Sequence, residues 1–131
     1  MNRKYVFMAE DNSNDVTLMM RALKKCQIPN SLVVVSDGRE ALDYLFSPEL
    51  QELPSVAILD LKLPFIDGLE VLHRIRADER TRHLPVIIFS ASIDESDRQM
   101  SLQLGADDFI CKPINFDEFV NLMCRIVTKW L

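Results

Sequence analysis

The sequence predicts one α/β domain: a doubly wound, five-stranded parallel sheet with helices on both faces. Three observations lead there. Apolar runs of strand length, at 4–9, 31–35, 55–60, 85–90 and 108–111, alternate with amphipathic stretches, the pattern of successive βαβ units. The runs are rich in Val, Ile and Phe without polar alternation, as expected of strands covered on both faces. Finally, 131 residues suffice for one core but not for two ordinary domains, so residues 1–131 are expected to be a single domain with no output domain.

The elements follow in order. After the first strand, Ser13-Asn14 forms a capping pair, and Val16, Met19, Met20 and Leu23 fall on one helical stripe. That helix should stop near Cys26, before Pro29 and Asn30. A second helix begins after Ser36-Asp37-Gly38 and buries Ala41, Leu42, Leu45 and Phe46. A long loop, 47–54, leads to the third strand. The third helix starts near Asp67-Gly68 and buries Leu69, Leu72 and Ile75. The fourth, about 95–104, has little apolar surface beyond Met100, Leu102 and Leu104, so packing should hold it weakly. Gly105 suits its C′ position. The last helix opens on Asn115 and Glu118, a capping-box arrangement. Phe116, Phe119, Val120, Met123, Ile126, Val127 and Trp130 form its buried stripe.

Composition excludes several classes. Basic residues are scattered and net charge is −5, which argues against a nucleic-acid surface. No apolar run approaches the roughly 20 residues that span a bilayer, and acidic residues arrive too early for a secretory signal. Cys26, Cys111 and Cys124 are odd in number and lack CxxC spacing, so a reduced, cytoplasmic protein is expected. Cys111 reads as a buried strand residue. His73 and His83 lack ligand spacing.

The chemistry lies at the strand ends. Glu10 and Asp11 leave the first run, Asp60 the third, Ser90 the fourth, and Lys112-Pro113 the fifth. Parallel strands would gather these groups on the carboxyl edge, where open α/β sheets bind ligands. Glu10-Asp11 alone would more often be solvated acids near a helix start. With Asp60 beside them, like charges call for a cation, and Mg²⁺ needs only one or two direct carboxylates plus waters and phosphate. A carboxylate such as Asp60 can also attack phosphorus. Ser90 and Lys112 could donate to phosphate oxygens, and Pro113 restricts the lysine's backbone and could admit a cis bond.

Glu10-Asp11, Asp60, Ser90 and Lys112-Pro113, together with Pro64, Asp67-Gly68 and Gly105-Ala106, resemble the response-regulator receiver family of two-component signalling across essentially the whole chain. The resemblance implies a flavodoxin-like (βα)5 fold of strand order 2-1-3-4-5. It implies that Asp60 is the phosphoacceptor, served by a sensor histidine kinase or phosphotransfer protein. Asp11, Asp60 and the backbone carbonyl of Lys62 would hold Mg²⁺ (Mn²⁺ as an alternative), with Glu10 acting through water. Lys112 would pair with phosphoryl oxygens, Ser90 would move towards them, and Phe109, the switch aromatic, would turn inward. The helix 4–strand 5–helix 5 face would then change its hold on a downstream protein. That face, with Leu122 and Trp130, is also a candidate contact for a second copy. Phe65 stands where the family often has glycine, while Lys62 and Ser92 fall at positions that tune acyl-phosphate lifetime. Loop 47–54 and the stretch IRADERTRHLPVIIFSAS resemble stand-alone receivers paired with bacterial phytochrome kinases.

Two other classes compete. A binding module that works without phosphorylation is disfavoured because every site position is chemically competent. A hydrolase using an aspartyl-phosphate intermediate usually has a second acid two residues after the nucleophile, where Lys62 stands here.

Overall fold

A computed structural model describes residues 4–27, 31–112 and 115–131. Five strands alternate with five helices: β1 (Tyr5–Ala9), α1 (Ser13–Lys25), β2 (Ser31–Val35), α2 (Gly38–Leu45), β3 (Val56–Leu59), α3 (Gly68–Ala77), β4 (Val86–Ser90), α4 (Glu95–Gln103), β5 (Asp108–Cys111) and α5 (Phe116–Trp130). All pairings are parallel, in the order β2-β1-β3-β4-β5. Pairing of Ala9 with Leu59, and of Ser90 with Cys111, sets the register that matters most. It brings Glu10, Asp60, Ser90 and Lys112 out at one edge.

β1, β3 and β4 are wholly buried because each face meets a helical layer. Val6, Met8, Ile58, Ile87 and Phe89 face α1 and α5, where they meet Met19, Ala22, Phe119 and Met123. Phe7, Leu59, Ile88 and Phe109 face the other way, onto Ala41, Leu45, Val71, Leu72 and Ile75 of α2 and α3. Burying side chains of this size contributes about 1.5–3 kcal/mol each, and this two-sided core holds the strand edge in place.

The helix ends follow the sequence closely, with small corrections. Asn12, rather than Ser13-Asn14, caps α1, accepting the N–H groups of Asn14 and Asp15. Met20 is 58% exposed, and the small Ala22 takes its place against the sheet. In α3, Val71 is buried while Leu69 is only partly covered. α4 buries only Ser101, with Met100 and Leu102 largely exposed. Gly105, at φ +102°, ends it in a left-handed conformation. Arg76 secures that end, donating to the carbonyls of Gly105, Arg82 and Leu84 and pairing with Asp107 at 3.0 Å.

Two expectations about cysteine are overturned. Cys26 and Cys124 form a disulfide between the end of α1 and α5, with Cα atoms 5.6 Å apart, where free thiols had been expected. The docking of α1 on α5 brings together residues 98 apart in sequence, which spacing alone does not reveal. Cys111 is exposed rather than buried, because β5 is the edge strand. Pro113, and with it any statement on the Lys112-Pro113 bond, lies outside the described residues. No helix among those described is long and apolar enough to cross a membrane.

Candidate functional site

The carboxyl edge of β1, β3, β4 and β5 assembles the site. Asp60 follows β3 directly and its backbone N–H donates to the Ala9 carbonyl at 3.1 Å. The chain then passes Lys62, whose N–H donates to Asp60 Oδ1 at 3.3 Å. It returns at α3, where the Gly68 N–H reaches the Leu61 carbonyl at 2.8 Å. A Cβ on Gly68 would lie 2.1 Å from the Asp60 carbonyl oxygen, and one on Gly38 would lie 1.7 Å from that of Ile66. Only glycine permits backbone to approach backbone so closely. Between them, the Ile66 N–H bonds to the Pro64 carbonyl at 2.8 Å, with Phe65 at φ +68°. That hydrogen bond makes Phe65 the centre of a tight three-residue turn. Its ring is 73% exposed, under the guanidinium of Arg39 at 4.4 Å.

Glu10 is buried, anchored through its N–H to the Val35 carbonyl at 3.0 Å. Its carboxylate accepts the Asn12 N–H at 3.3 Å. Asp11 is exposed beside it. Carboxylate oxygens of Glu10, Asp11 and Asp60 lie within 4.8 Å of one another. This all-oxygen set suits a hard divalent cation that keeps several waters.

Lys112 reaches into this acidic ground from the end of β5, its N–H bonded to the Ser90 carbonyl at 2.8 Å. The ammonium donates to Glu10 Oε1 at 2.7 Å, to Asp15 Oδ2 at 2.7 Å and to Asp60 Oδ2 at 3.1 Å. Burial opposes its charge, but the hydrogen bonds it donates to Asp15 and Glu10 and the charge of Asp60 outweigh it and hold its pKa above the ordinary value. Glu10 shows the opposite strain. Burial first, and then the Asp60 side chain, push its pKa up to about 7, with Lys112 only partly offsetting them.

Ser90 is buried at the end of β4, its hydroxyl accepting the Ser92 N–H at 3.1 Å. Phe109 is 5% exposed and packed in the core. The structure thus brings Glu10, Asp11, Asp60, Ser90 and Lys112 to one edge, as the sequence predicted. His73 and His83 are exposed and apart from it. The residue not anticipated is Asp15. Its signal was its place in the first turn of α1, four residues after Asp11, but an acid there also reads as an ordinary first-turn residue.

Comparison with known proteins agrees with this arrangement. Residues 6–123 match the family described as the response regulator receiver domain. The chain is 32% identical to the probable methanogenesis regulatory protein FilR2 of Methanothrix harundinacea (strain 6Ac), over 96% of this chain and 83% of that protein. Among solved structures, the phosphorylated cyanobacterial phytochrome response regulator RcpA superposes with a TM-score of 0.90 at 34% identity, covering 98% of this chain and 94% of that one. The Mn²⁺-bound form of response regulator Rcp1, a protein of Synechocystis sp. (strain ATCC 27184 / PCC 6803 / Kazusa), gives 0.87 at 29%, with the same coverage.

Proposed function

The chain belongs to the response-regulator receiver family, and we propose that Asp60 is its phosphoacceptor, taking a phosphoryl group from a histidine kinase or phosphotransfer protein. Receiver domains are phosphoacceptor signalling domains of two-component systems. The observation that carries the assignment is the meeting of Asp60 with an acidic pair and a partly buried ammonium at one sheet edge.

Each residue then has a task. Asp60 Oδ attacks phosphorus, the donor's nitrogen leaves, and an aspartyl phosphate remains. Lys112 already bonds Asp60 Oδ2 and is placed to donate to a phosphoryl oxygen there. Ser90 gives up its bond from Ser92 as its hydroxyl turns towards the new oxygens. Asp11, Asp60 and the Lys62 carbonyl would hold Mg²⁺ or Mn²⁺, with Glu10 acting through water. When bound, the cation neutralises charge on the incoming phosphoryl group. Support for the metal comes from the oxygen donor set and from a Mn²⁺-bound relative.

α4 is the element suited to respond, because it buries so little. Movement there would alter the α4–β5–α5 face that meets a downstream protein. On that face a groove of about 240 Å³, lined in part by Ile110, Leu122, Arg125 and Trp130, is the proposed contact for a second copy. Likeness to RcpA and Rcp1 favours a phytochrome-type kinase as the phosphodonor.

The test is intact mass after acetyl phosphate and Mg²⁺. One phosphoryl group should be gained by the native chain and none by Asp60→Asn. Persistent labelling of that variant, or no labelling of the native chain, overturns the assignment.

A further inference from the structure

Lys112 has three N–H donors, and carboxylates occupy all of them. The two short bonds, 2.7 Å each, go to Glu10 and Asp15, and the longest, 3.1 Å, goes to Asp60. The ammonium is therefore drawn towards the α1 side of the site and away from the strand end where a phosphoryl group would form. Glu10 is fixed there by β1. Asp15 belongs to the first turn of α1, two residues beyond its start. Nothing in the acidic trio requires it, since Glu10, Asp11 and Asp60 already make that group.

Asp15 thus does two things, both through Lys112 and through charge. It occupies a donor that a phosphoryl oxygen would otherwise take, and its negative charge holds the ammonium on the α1 side. A hydrogen bond between charged partners is about twice as strong as one between neutral partners. At 20% side-chain exposure, Asp15 is not fully screened by water.

We propose that Asp15 is a positioning residue that holds Lys112 on the α1 side and opposes its transfer to a phosphoryl group on Asp60. This rests on the phosphoacceptor reading of Asp60. Asp15 therefore sets how readily the site accepts the activated state, without touching the phosphoryl group.

The experiment uses beryllium fluoride as phosphoryl mimic, titrated at saturating Mg²⁺ and followed by ¹⁹F NMR. Replacing the ion pair with a weaker bond from the ammonium to a neutral amide oxygen should tighten binding by about fivefold in Asp15→Asn. Asp15→Glu, which keeps the carboxylate, should bind like the native chain. A second readout needs no metal: Lys112 should be acylated faster by acetic anhydride in Asp15→Asn than in the native protein, as read by peptide mass. Equal or weaker mimic binding by Asp15→Asn, tightening by Asp15→Glu as well, or an unchanged Lys112 acylation rate each overturns the proposal. Failure of the native chain both to bind the mimic and to be labelled by acetyl phosphate would instead overturn the phosphoacceptor reading.

Discussion

The Ser92 hydroxyl donates to the Asp97 carboxylate at 2.6 Å, tying the loop after β4 to the first turn of α4. The same serine donates its N–H to Ser90 Oγ and accepts the N–H of Asp94, the α4 cap. A single side chain thus joins the buried hydroxyl of the site to the start of a weakly packed helix. Ser92→Ala should remove about 1 kcal/mol of local stability. Amide exchange across 95–98 should accelerate by about fivefold, with the rates in β1 and β3 unchanged. Uniform acceleration through the sheet would show that Ser92 acts on the whole fold instead.

Glu10 gives the metal-free protein a pH dependence of known sign. Its pKa in the fold is about 7 against an ordinary value of 4.5, so the fold favours its protonated form. The stability it contributes is fully present below about pH 4.5 and is lost as pH rises through about 7. Thermal unfolding of the native chain and Glu10→Gln should therefore agree near pH 4. The variant should gain ground steadily towards pH 8. A gap that stays constant with pH would contradict this.

The Cys26–Cys124 bridge closes most of the chain into one loop. Long loops lose the most unfolded-state entropy on crosslinking. Reduction should cost about 2–4 kcal/mol, read as the difference between urea unfolding curves with and without reductant. Titration of the oxidised, unfolded chain should find one free thiol, that of Cys111.

Gly68→Ala should be among the most damaging small substitutions. The added methyl meets backbone, not a side chain that can turn aside. A loss of about 3 kcal/mol is expected from denaturant unfolding. The accompanying shift of the Asp60 carbonyl should also lower labelling by acetyl phosphate.

The strands were legible to within about a residue because full burial leaves an unbroken apolar run, the strongest signal a strand can give. The faces of α2 and α5 were equally clear. Met20 misled because hydrophobicity marked the stripe while space favoured Ala22. Cys111 misled because sequence shows that β5 is apolar, not that it stands at the edge. Asp11, Asp60, Ser90 and Lys112 could be read as a set because each ends or follows a strand. Asp15 could not, because its partner lies 97 residues away and its own surroundings resemble any helix start. The cysteine pair was hidden for the same reason: both depend on tertiary packing between segments about a hundred residues apart.

Gly68, packed on the Asp60 carbonyl, and Gly38, packed on that of Ile66, have a directional consequence. On that flank Gly38 and Gly68 press main chain against main chain, leaving no slack to take up a displacement. On the opposite flank the loop from Ser90 to Asp97 is fastened by side-chain hydrogen bonds that can exchange partners. Any push delivered at Asp60 meets a wall on one side and a latch on the other. Under the proposed phosphoacceptor role of Asp60, displacement is expected on the Ser90–Asp97 side rather than in the α2–α3 half.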